Sequence, residues 1–255
     1  MIILEEKAQL LELVDEKTIN KIQHARDFVI ETASGNLLMG FRWLDRSSIL
    51  LLVQEDHVSI WTQSAKVLKA TEDISGTGKE ELFKFLVALT ANDLNEIEKL
   101  EDRVSSLEDR LYDSTDPSRE NFNALYKLRK EVWKKKRYYE KMELLTDELM
   151  QADEYFTFID KKFDKLLNHI LRTQEYLDQV RQAYEAQIDI EQNQLMKFFT
   201  VVTSIFLPLT VIAGWYGMNL QMPELQLPFA YPLVIGLSVG IIGLMIWLFR
   251  KNKWL

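Results

Sequence analysis

The residues of this chain best suited to chemistry lie in a short link near its C-terminal end. The link begins at Tyr216-Gly217-Met218-Asn219, and Glu224 follows as the only charged residue between Phe198 and Phe249. The Asn219 amide offers a neutral oxygen, a glycine leaves backbone carbonyls accessible, and a carboxylate adds negative charge. Oxygen atoms and negative charge together attract cations. The residue types of this link are thus compatible with attracting cations, in otherwise uncharged surroundings.

Catalytic and cofactor chemistry has no comparable support elsewhere in the sequence. His24, His57 and His169 lie in different elements and lack metal-ligand spacing. The absence of cysteine excludes disulfides, thiolate metal sites and cysteine nucleophiles. Gly76-Thr77-Gly78-Lys79 lacks the first glycine and the spacing of a phosphate-binding loop, and we interpret it as a linker. We therefore predict no enzyme activity and no cofactor.

The charge of the chain is unevenly distributed. It contains 31 Lys and Arg against 39 Asp and Glu, a formal net charge of -8, and 27% of its residues are charged. Nearly all of these charges precede Phe198, so a charged body is followed by an apolar tail. Nucleic-acid binding needs clustered Lys and Arg to contact phosphates. The acidic balance therefore argues against a nucleic-acid partner.

Two uncharged runs of 19 residues, Phe198–Tyr216 and Tyr231–Phe249, predict membrane-spanning helices. About 20 apolar residues cross a hydrocarbon core of about 30 Å. The alternative is a buried helical hairpin of a soluble protein, but two such runs in succession at a chain end favour a membrane anchor. The link at 217–230 then joins the two spans on one side of the bilayer.

Basic residues predict the orientation of the spans. Arg250, Lys251 and Lys253 follow the second span, whereas the link at 217–230 contains no Lys or Arg. Because basic residues favour the cytoplasmic side, residues 250–255 are expected to form a cytoplasmic tail and the link an outer loop. Met1–Glu6 has neither the basic nor the apolar region of a secretory signal. We expect a multi-pass protein of the cell (inner or plasma) membrane with both termini in the cytoplasm.

Residues 1–78 have the pattern of a small cytoplasmic α/β unit. Lys17–Arg26 is a predicted short helix, and a linker at Ser75–Gly78 would end the unit. Three segments with turn-forming residues between them are predicted strands: Gly40–Leu44, Ile49–Val53 and His57–Thr62.

Residues 79–152 are predicted to form a helical coiled-coil hairpin. Apolar residues recur at spacings of three and four on both sides of a break at Asp113–Pro117. From Asp93 to Asp113 eight acidic residues stand against three basic ones, whereas Lys134–Arg137 is basic, so an antiparallel pair would be matched in charge. The apolar seam comprises Ile97, Leu100, Val104, Leu107, Leu111, Leu125, Leu128, Val132, Tyr139 and Met142.

No Gly or Pro occurs from Phe156 through Leu207, which predicts one helix containing a stalk at 153–197 and the first span at 198–216. About 55 to 60 residues at about 1.5 Å each give about 85 Å. A helix of that length needs partners, and symmetric self-association is their simplest source. The predicted fold is an α+β membrane protein: a small cytoplasmic α/β unit, a helical coiled-coil hairpin, and a long stalk helix that continues into the first of two transmembrane helices.

Several short motifs surround the predicted spans: Asn193–Lys197, Pro208–Asn219, Met222-Pro223-Glu224-Leu225, Tyr231-Pro232 and Lys253-Trp254-Leu255. Together they resemble the CorA family of divalent-cation transporters. The Tyr-Gly-Met-Asn motif alone is weak, but its register with the other segments makes the resemblance specific. The close match covers residues 193–255, and the N-terminal unit is smaller than is usual in the family.

The resemblance implies a homopentameric Mg²⁺ channel whose first span lines the pore and whose second span faces lipid. Gly217, Met218 and Asn219 would form the selectivity mouth, and Glu224 would concentrate cations at the entrance. Because Mg²⁺ releases water reluctantly, a ring of Asn219 amides suits the hydrated ion. The residues that would line the pore are Asn193, Met196, Phe199, Thr203, Leu207, Thr210 and Gly214.

These pore positions recur at three or four and therefore share one face of a helix. A face that bears threonine is costly in lipid but is satisfied beside water. A small-residue packing stripe between helices is the alternative. Met196, Phe199 and Leu207 would form hydrophobic constrictions that gate the pore.

The resemblance also implies regulatory Mg²⁺ bound by acidic residues between subunits. The usual acidic position of the family, after Tyr155-Phe156, is Phe158 in this chain. The candidate regulatory ligands are therefore Asp160, Asp164, Glu101 and Asp102.

Two other functions remain open. One is a transporter of the same architecture for Zn²⁺, Co²⁺ or Ni²⁺; zinc-transporting relatives typically have Ile at the position of Met218, so Met218 favours Mg²⁺. The other is a membrane-anchored coiled-coil scaffold, which would explain the hairpin and the stalk but not the outer loop. The expected partners are divalent cations, the lipid bilayer and further copies of the chain, five in all by analogy with the family.

Overall fold

The computed structural model of this chain describes residues 1–22, 27–113, 119–218, 229–252 and 254. The chain divides into two compact units, Met1–Gln182 and Ala183–Leu255. The first unit contains a mixed sheet and the longer amphipathic helices, and the second contains apolar helical segments.

The strands of the first unit are β1 (Ile2–Ile3), β2 (Phe28–Glu31), β3 (Leu37–Arg42), β4 (Ser48–Val53) and β5 (Val58–Thr62). They form one sheet in the order β1-β5-β4-β3-β2, in which β1 is parallel to β5 and the other neighbours are antiparallel. The three predicted strands correspond to β3, β4 and β5. The sequence analysis does not identify β1 and β2, because two and four residues are too few to show a periodicity.

Helices cover both faces of the sheet. On one face Leu38, Leu50 and Leu52 form a core with Leu10 of helix α1 (Lys7–Glu12) and Ile19 of helix α2 (Glu16–Ile22). Side chains alternate across a strand, so the intervening residues of β3 and β4 point to the opposite face. The sheet is therefore hydrophobic on both sides, and the run Ile49–Val53 is apolar throughout.

The opposite face of the sheet packs against a helix that follows the predicted linker. After the short helix α3 (Ala65–Lys69), helix α4 (Gly78–Leu89) contacts β4 and β5. Its Leu82, Phe85 and Leu86 are fully buried. The packing of the sheet thus extends beyond residue 78.

Gly78 allows α4 to begin directly against the sheet. Its N–H donates to the Glu55 carbonyl oxygen at 3.0 Å. A Cβ at Gly78 would lie 1.6 Å from the Gln54 carbonyl oxygen, so no other residue fits without movement of the backbone. Gly78 of the predicted linker is thus explained by packing against the sheet.

A buried carboxylate joins α4 to the sheet. Glu81 is 3% exposed, and its Oε2 accepts a hydrogen bond from the Val58 N–H at 2.7 Å. Its Oε1 pairs with the Met1 ammonium group, which is also buried. Because β1 and β5 are parallel, Glu81 therefore holds the starts of both strands together at one end of the sheet edge.

Three long helices complete the first unit. Helices α5 (Asp93–Asp113) and α6 (Arg119–Ala152) are followed by a 3₁₀ turn at Glu154–Phe156 and by α7 (Thr157–Tyr216), whose residues up to Gln182 belong to this unit. Every residue of the predicted seam of α5 and α6 is buried. The Tyr176 hydroxyl of α7 donates to Glu108 of α5, which joins α7 to the α5–α6 pair.

The charges of α5 and α6 pair differently from the prediction. The sequence predicts that acidic α5 is matched by basic α6, but the cross-helix ion pairs that the structure describes are Arg103–Glu131 at 2.8 Å and Arg110–Glu120 at 3.7 Å. They join the arginines of α5 to glutamates of α6. The reason is geometric: the charges of an amphipathic helix that flank its seam meet the partner helix, whereas those opposite the seam do not.

The second unit contains the C-terminal part of α7 and helix α8 (Ala230–Lys251). Within the described ranges, two helices are long and apolar enough to cross a membrane. The absence of Gly and Pro before Pro208 predicts a single helix, and α7 continues through Pro208 to Tyr216. Proline lacks an N–H, so the Ser204 carbonyl has no helical donor at that position.

Candidate ion pathway and acidic clusters

The predicted pore positions lie on the C-terminal part of α7. Met196, Phe199 and Leu207 are 60–64% exposed in the single chain, and the polar or small positions Asn193, Thr203, Thr210 and Gly214 are also exposed. Residues on the other faces, such as Phe206 and Val211, are similarly exposed. One chain by itself therefore leaves this helix largely uncovered.

Threonine hydroxyls on this helix satisfy their hydrogen-bonding potential locally. Thr203 Oγ1 donates to the Phe199 carbonyl at 2.7 Å, and Thr210 Oγ1 donates to the Phe206 carbonyl at 2.8 Å. A hydroxyl that donates to the preceding turn keeps acceptor capacity for a water molecule. The predicted stripe thus offers acceptors to water between its apolar residues.

The predicted selectivity mouth begins at the C-terminal end of α7. The helix ends at Tyr216, after which the Gly217 N–H donates to the Ala213 carbonyl at 2.8 Å and Met218 is 47% exposed. Asn219 and Glu224 lie outside the described residues. Of the predicted mouth, the structure therefore places Gly217 and Met218 only.

Two of the predicted regulatory residues lie beside further carboxylates. The Thr146 hydroxyl of α6 donates to Asp160 of α7 at 3.3 Å. Burial, and the negative charges of Asp147 and Asp164, raise the pKa of Asp160. Burial and the charges of Asp160, Asp147 and Asp164 also raise the pKa of Glu143. Glu143 and Asp147 are members of this cluster that the sequence analysis does not identify.

The other two predicted regulatory residues occupy a different helix. Glu101 and Asp102 are exposed on α5 and precede Arg103, which pairs with Glu131. Across the parts of the chain that the structure describes, no group of three or more His, Asp or Glu is arranged to hold a metal ion. The four predicted residues are therefore not brought together as one ligand set.

Asp93 is a buried carboxylate with no role in the prediction. It begins α5 and is 7% exposed, and its Oδ2 has no hydrogen-bond partner among the residues that the structure describes. Burial raises its pKa, although Tyr139, Lys135 and Lys162 act in the opposite direction. The sequence gives little signal for it, because an acidic residue in the first turn of a helix is usually exposed to solvent.

We expect the substitution Asp93→Asn to raise the stability of the chain more at pH 7 than at pH 4. Because the pKa of Asp93 is raised in the folded state, its contribution is fully present below its unfolded pKa and is lost as the pH rises through the folded value. Asparagine keeps the shape and removes the charge. Urea unfolding between pH 4 and pH 7.5 measures the difference.

The control for Asp93→Asn is Glu12→Gln, which removes an exposed carboxylate at the end of α1. As a substitution at the surface, it should change the free energy of unfolding by no more than about 0.5 kcal/mol. An effect of Asp93→Asn that does not change between pH 4 and pH 7.5 would show that burial does not perturb the Asp93 carboxyl.

The sequence of the chain is similar to a known transporter family and to several of its members. Residues 23–251 match the family described as CorA-like Mg²⁺ transporter protein. The chain is 40% identical over 100 residues to the magnesium transport protein CorA of Campylobacter jejuni, covering 39% of the chain and 31% of that relative. It is 27% identical over 184 residues to the cobalt/magnesium transport protein CorA of Thermotoga maritima, covering 68% and 52%. The aligned segments thus span between 31% and 52% of the length of these two relatives.

The fold is similar to that of a solved transporter. The CorA magnesium transporter from Methanocaldococcus jannaschii superposes with a TM-score of 0.71 and 21% identity, covering 98% of this chain and 84% of that one. At this identity the likeness concerns the fold: a mixed sheet, a long helix and two apolar helices.

Proposed function

The chain belongs to the family of CorA-like Mg²⁺ transporter proteins, and from this premise we propose that it forms a homo-oligomeric channel for hydrated Mg²⁺. Five copies would surround a pore lined by α7, with α8 facing lipid and both chain ends in the cytoplasm. Residues 217–230 would form the outer loop. The observation that carries the proposal is the family match over residues 23–251, which includes both apolar helices.

The chemistry of the α7 stripe supports a water-filled path. Thr203 and Thr210 retain acceptor capacity. Gly214 leaves space, since no atom of the described residues lies within 4 Å of a Cβ built there. Mg²⁺ prefers to keep several of its waters and to be bound through oxygen atoms. Asn219 amides and the carbonyls near Gly217 would contact the water shell at the mouth, and Glu224 would raise the local cation concentration.

A hydrophobic gate accounts for the large apolar residues of the same stripe. Met196, Phe199 and Leu207 are spaced along α7 so that each would form a ring in a symmetric assembly. A narrow apolar ring excludes water, and an ion that keeps its water shell cannot pass until the helices move apart. Scaffold function gives these three positions no role.

Regulation by cytoplasmic Mg²⁺ is the part of the proposal that involves Asp160 and Asp164. These two residues lie near Glu143 and Asp147, and mutual repulsion contributes to the raised pKa of Asp160. A divalent cation would relieve that repulsion. Glu101 and Asp102 are less suited, because the neighbouring Arg103 supplies a positive charge.

Co²⁺ is the second candidate ion, because the Thermotoga maritima relative is a cobalt/magnesium transport protein. Uptake of each ion into proteoliposomes that contain a metal-sensitive dye would separate the candidates. Preferential uptake of Zn²⁺ that depends on a pH gradient would instead favour the zinc-transporting architecture.

We expect Asn219→Ala to lower Mg²⁺ uptake into proteoliposomes at least several-fold. The substitution removes the neutral oxygen that would contact the water shell of the ion, and leaves the apolar helix intact. Asn252→Ala is the matched control. It also removes an asparagine amide, but at the C-terminal end of α8, away from the proposed mouth. Equal uptake by Asn219→Ala and the unsubstituted chain would contradict the proposed mouth.

A further inference from the structure

An exposed aromatic stripe runs along α6. Phe122, Trp133 and Leu144 are spaced by eleven residues, Tyr126 lies one turn after Phe122, and these four side chains are 58–66% exposed. Eleven residues are slightly more than three full turns, so the stripe runs nearly parallel to the helix axis over about 33 Å. The Arg137 guanidinium lies over the Trp133 ring at 5.7 Å. Exposed aromatic side chains in such a row are typical of an interaction surface.

Basic residues flank the aromatic stripe, although the chain as a whole is acidic. Between positions 127 and 141 the helix carries eight basic residues and two acidic ones, in a chain of formal net charge -8. The basic residues of this segment are Lys127, Arg129, Lys130, Lys134, Lys135, Lys136, Arg137 and Lys141. Lys141 pairs with Asp27 and Lys136 with Glu140. The exposed basic residues Lys127, Arg129, Lys130, Lys134 and Arg137 are therefore the ones that favour an acidic partner.

The outward edge of α5 has the opposite charge. Four exposed acidic residues recur on it at helical spacing, and Tyr112 follows them with 81% exposure. These acidic residues are Glu98, Glu101, Asp102 and Asp109. The basic residues of α5 lie elsewhere on the helix, where Lys99 pairs with Glu96 and Arg103 with Glu131.

The two edges do not neutralise each other within one chain. The described α5–α6 ion pairs join arginines of α5 to glutamates of α6. The acidic edge of α5 and the aromatic stripe of α6 with its basic residues therefore face outward. One surface of a copy can then meet a different surface of the next copy. A contact of this head-to-tail type closes into a ring when it is repeated by rotation.

The register of the hairpin places complementary residues at similar heights. Arg103 Nη1 donates to Glu131 Oε1 at 2.9 Å, so in the antiparallel pair Asp102 of α5 lies level with Val132 of α6, two residues or about 3 Å along the axis from Lys130. By the same register, Glu98 lies level with Lys136, one residue from Arg137, and Tyr112 lies level with Phe122. Rotation about an axis along the hairpin preserves height, so each residue would meet its counterpart in the neighbouring copy.

We propose that the aromatic stripe of α6 is a docking surface for the acidic edge of α5 in a second copy of this chain. The contact rests on the proposed function in that it requires self-association, and it adds the surfaces through which neighbouring hairpins meet. Glu98 would pair with Arg137, Asp102 with Lys130, and Tyr112 would pack on Phe122. An anionic lipid surface would also attract the stripe, but it leaves the matching acidic edge without a role.

The absence of cysteine from the chain permits a direct cross-linking test. We expect co-expressed chains carrying Asp102→Cys and Lys130→Cys, one of them with a size tag, to form a mixed disulfide on mild oxidation. A disulfide requires Cα atoms within about 7 Å, so it reports contact between the two edges. The matched control replaces Lys130→Cys by Lys66→Cys, at an exposed position on α3, and should give no mixed product.

Charge reversal tests the pairing itself. We expect Glu98→Lys in both chains to reduce the yield of the mixed disulfide several-fold, and Arg137→Glu added to it to restore the yield, because the reversed charges again attract each other. Reduction without restoration would overturn the pairing of these two residues.

A mass measurement of the detergent-purified chain separates the possible failures. An oligomer that yields no mixed disulfide would overturn this inference and leave the proposed function intact. A monomer would contradict the self-association on which both depend. A mixed disulfide that appears only with anionic lipid vesicles would assign the stripe to the membrane surface.

Discussion

Gly214→Leu in every copy is expected to reduce Mg²⁺ uptake to the level of empty vesicles. Among the described residues of the single chain, no atom lies within 4 Å of a Cβ built at Gly214, so the start of a larger side chain meets no clash there. Leucine also has a higher helix propensity than glycine, which lies about 0.8 to 1 kcal/mol below alanine. If the stripe that includes Thr210 and Leu207 lines a pore, a leucine from each copy fills the lumen near its outer end. Uptake would then be lost without loss of folding.

The control for this substitution is Ala213→Leu. It adds the same kind of side chain one residue earlier, which is about 100° away around the helix. We expect it to retain most of the uptake, because that direction faces a neighbouring helix or lipid. The oligomer mass of both variants must match the unsubstituted chain. Equal uptake by Gly214→Leu and Ala213→Leu would show that Gly214 does not line the pore and that a different face of α7 does.

The sequence predicts the helical part of the fold well, for physical reasons. A run without Gly or Pro from Phe156 to Leu207 has no residue that would end a helix, and α7 is continuous over it. The seam of α5 and α6 is buried because residues spaced by three and four lie on one side of a helix. Both properties are local, so periodicity is enough to find them.

The sheet is predicted less completely, because its packing depends on residues distant in sequence. β2 pairs with β3 through only four residues, among them Ile30 with Leu38 and Val29 with Met39. So short a run shows no periodicity by itself. Gly78 resembles a linker residue in the sequence, yet the Gln54 carbonyl approaches it so closely that no side chain fits. Contacts of this kind follow from tertiary structure and leave no periodic signal.

The candidate site also contains residues that spacing can predict and residues that only tertiary contacts bring together. The α7 stripe can be predicted from spacing, because its members share a face whatever surrounds the helix. The acidic cluster around Asp160 cannot, since Glu143 and Asp147 join it only through the pairing of α6 with α7. The direction of the α5–α6 ion pairs also depends on how each helix is rotated about its axis. Net charge along the sequence does not determine that rotation.

Glu81→Ala is expected to lower the free energy of unfolding of the first unit by about 3 to 5 kcal/mol, the usual cost of removing one partner of a buried ion pair. The substitution leaves the Val58 N–H without its acceptor at 2.7 Å and leaves the buried Met1 ammonium without its counter-charge. Both groups lie beside the edge strand pair β1 and β5. Urea unfolding of the full chain in detergent, followed by tryptophan fluorescence, measures the loss, with Trp61 located in β5.

Hydrogen exchange at the Val58 amide gives a site-specific readout of the same change. Its protection should fall in Glu81→Ala, because the amide loses a side-chain acceptor that no neighbouring strand replaces. Glu80→Ala, which removes an exposed carboxylate one residue earlier in α4, should change stability by no more than about 0.5 kcal/mol and leave the Val58 amide protected. Since Glu81 lies in the sheet-packing core, its loss should reduce Mg²⁺ uptake only in proportion to the folded fraction. A loss of uptake at full stability would instead give this carboxylate a role in transport.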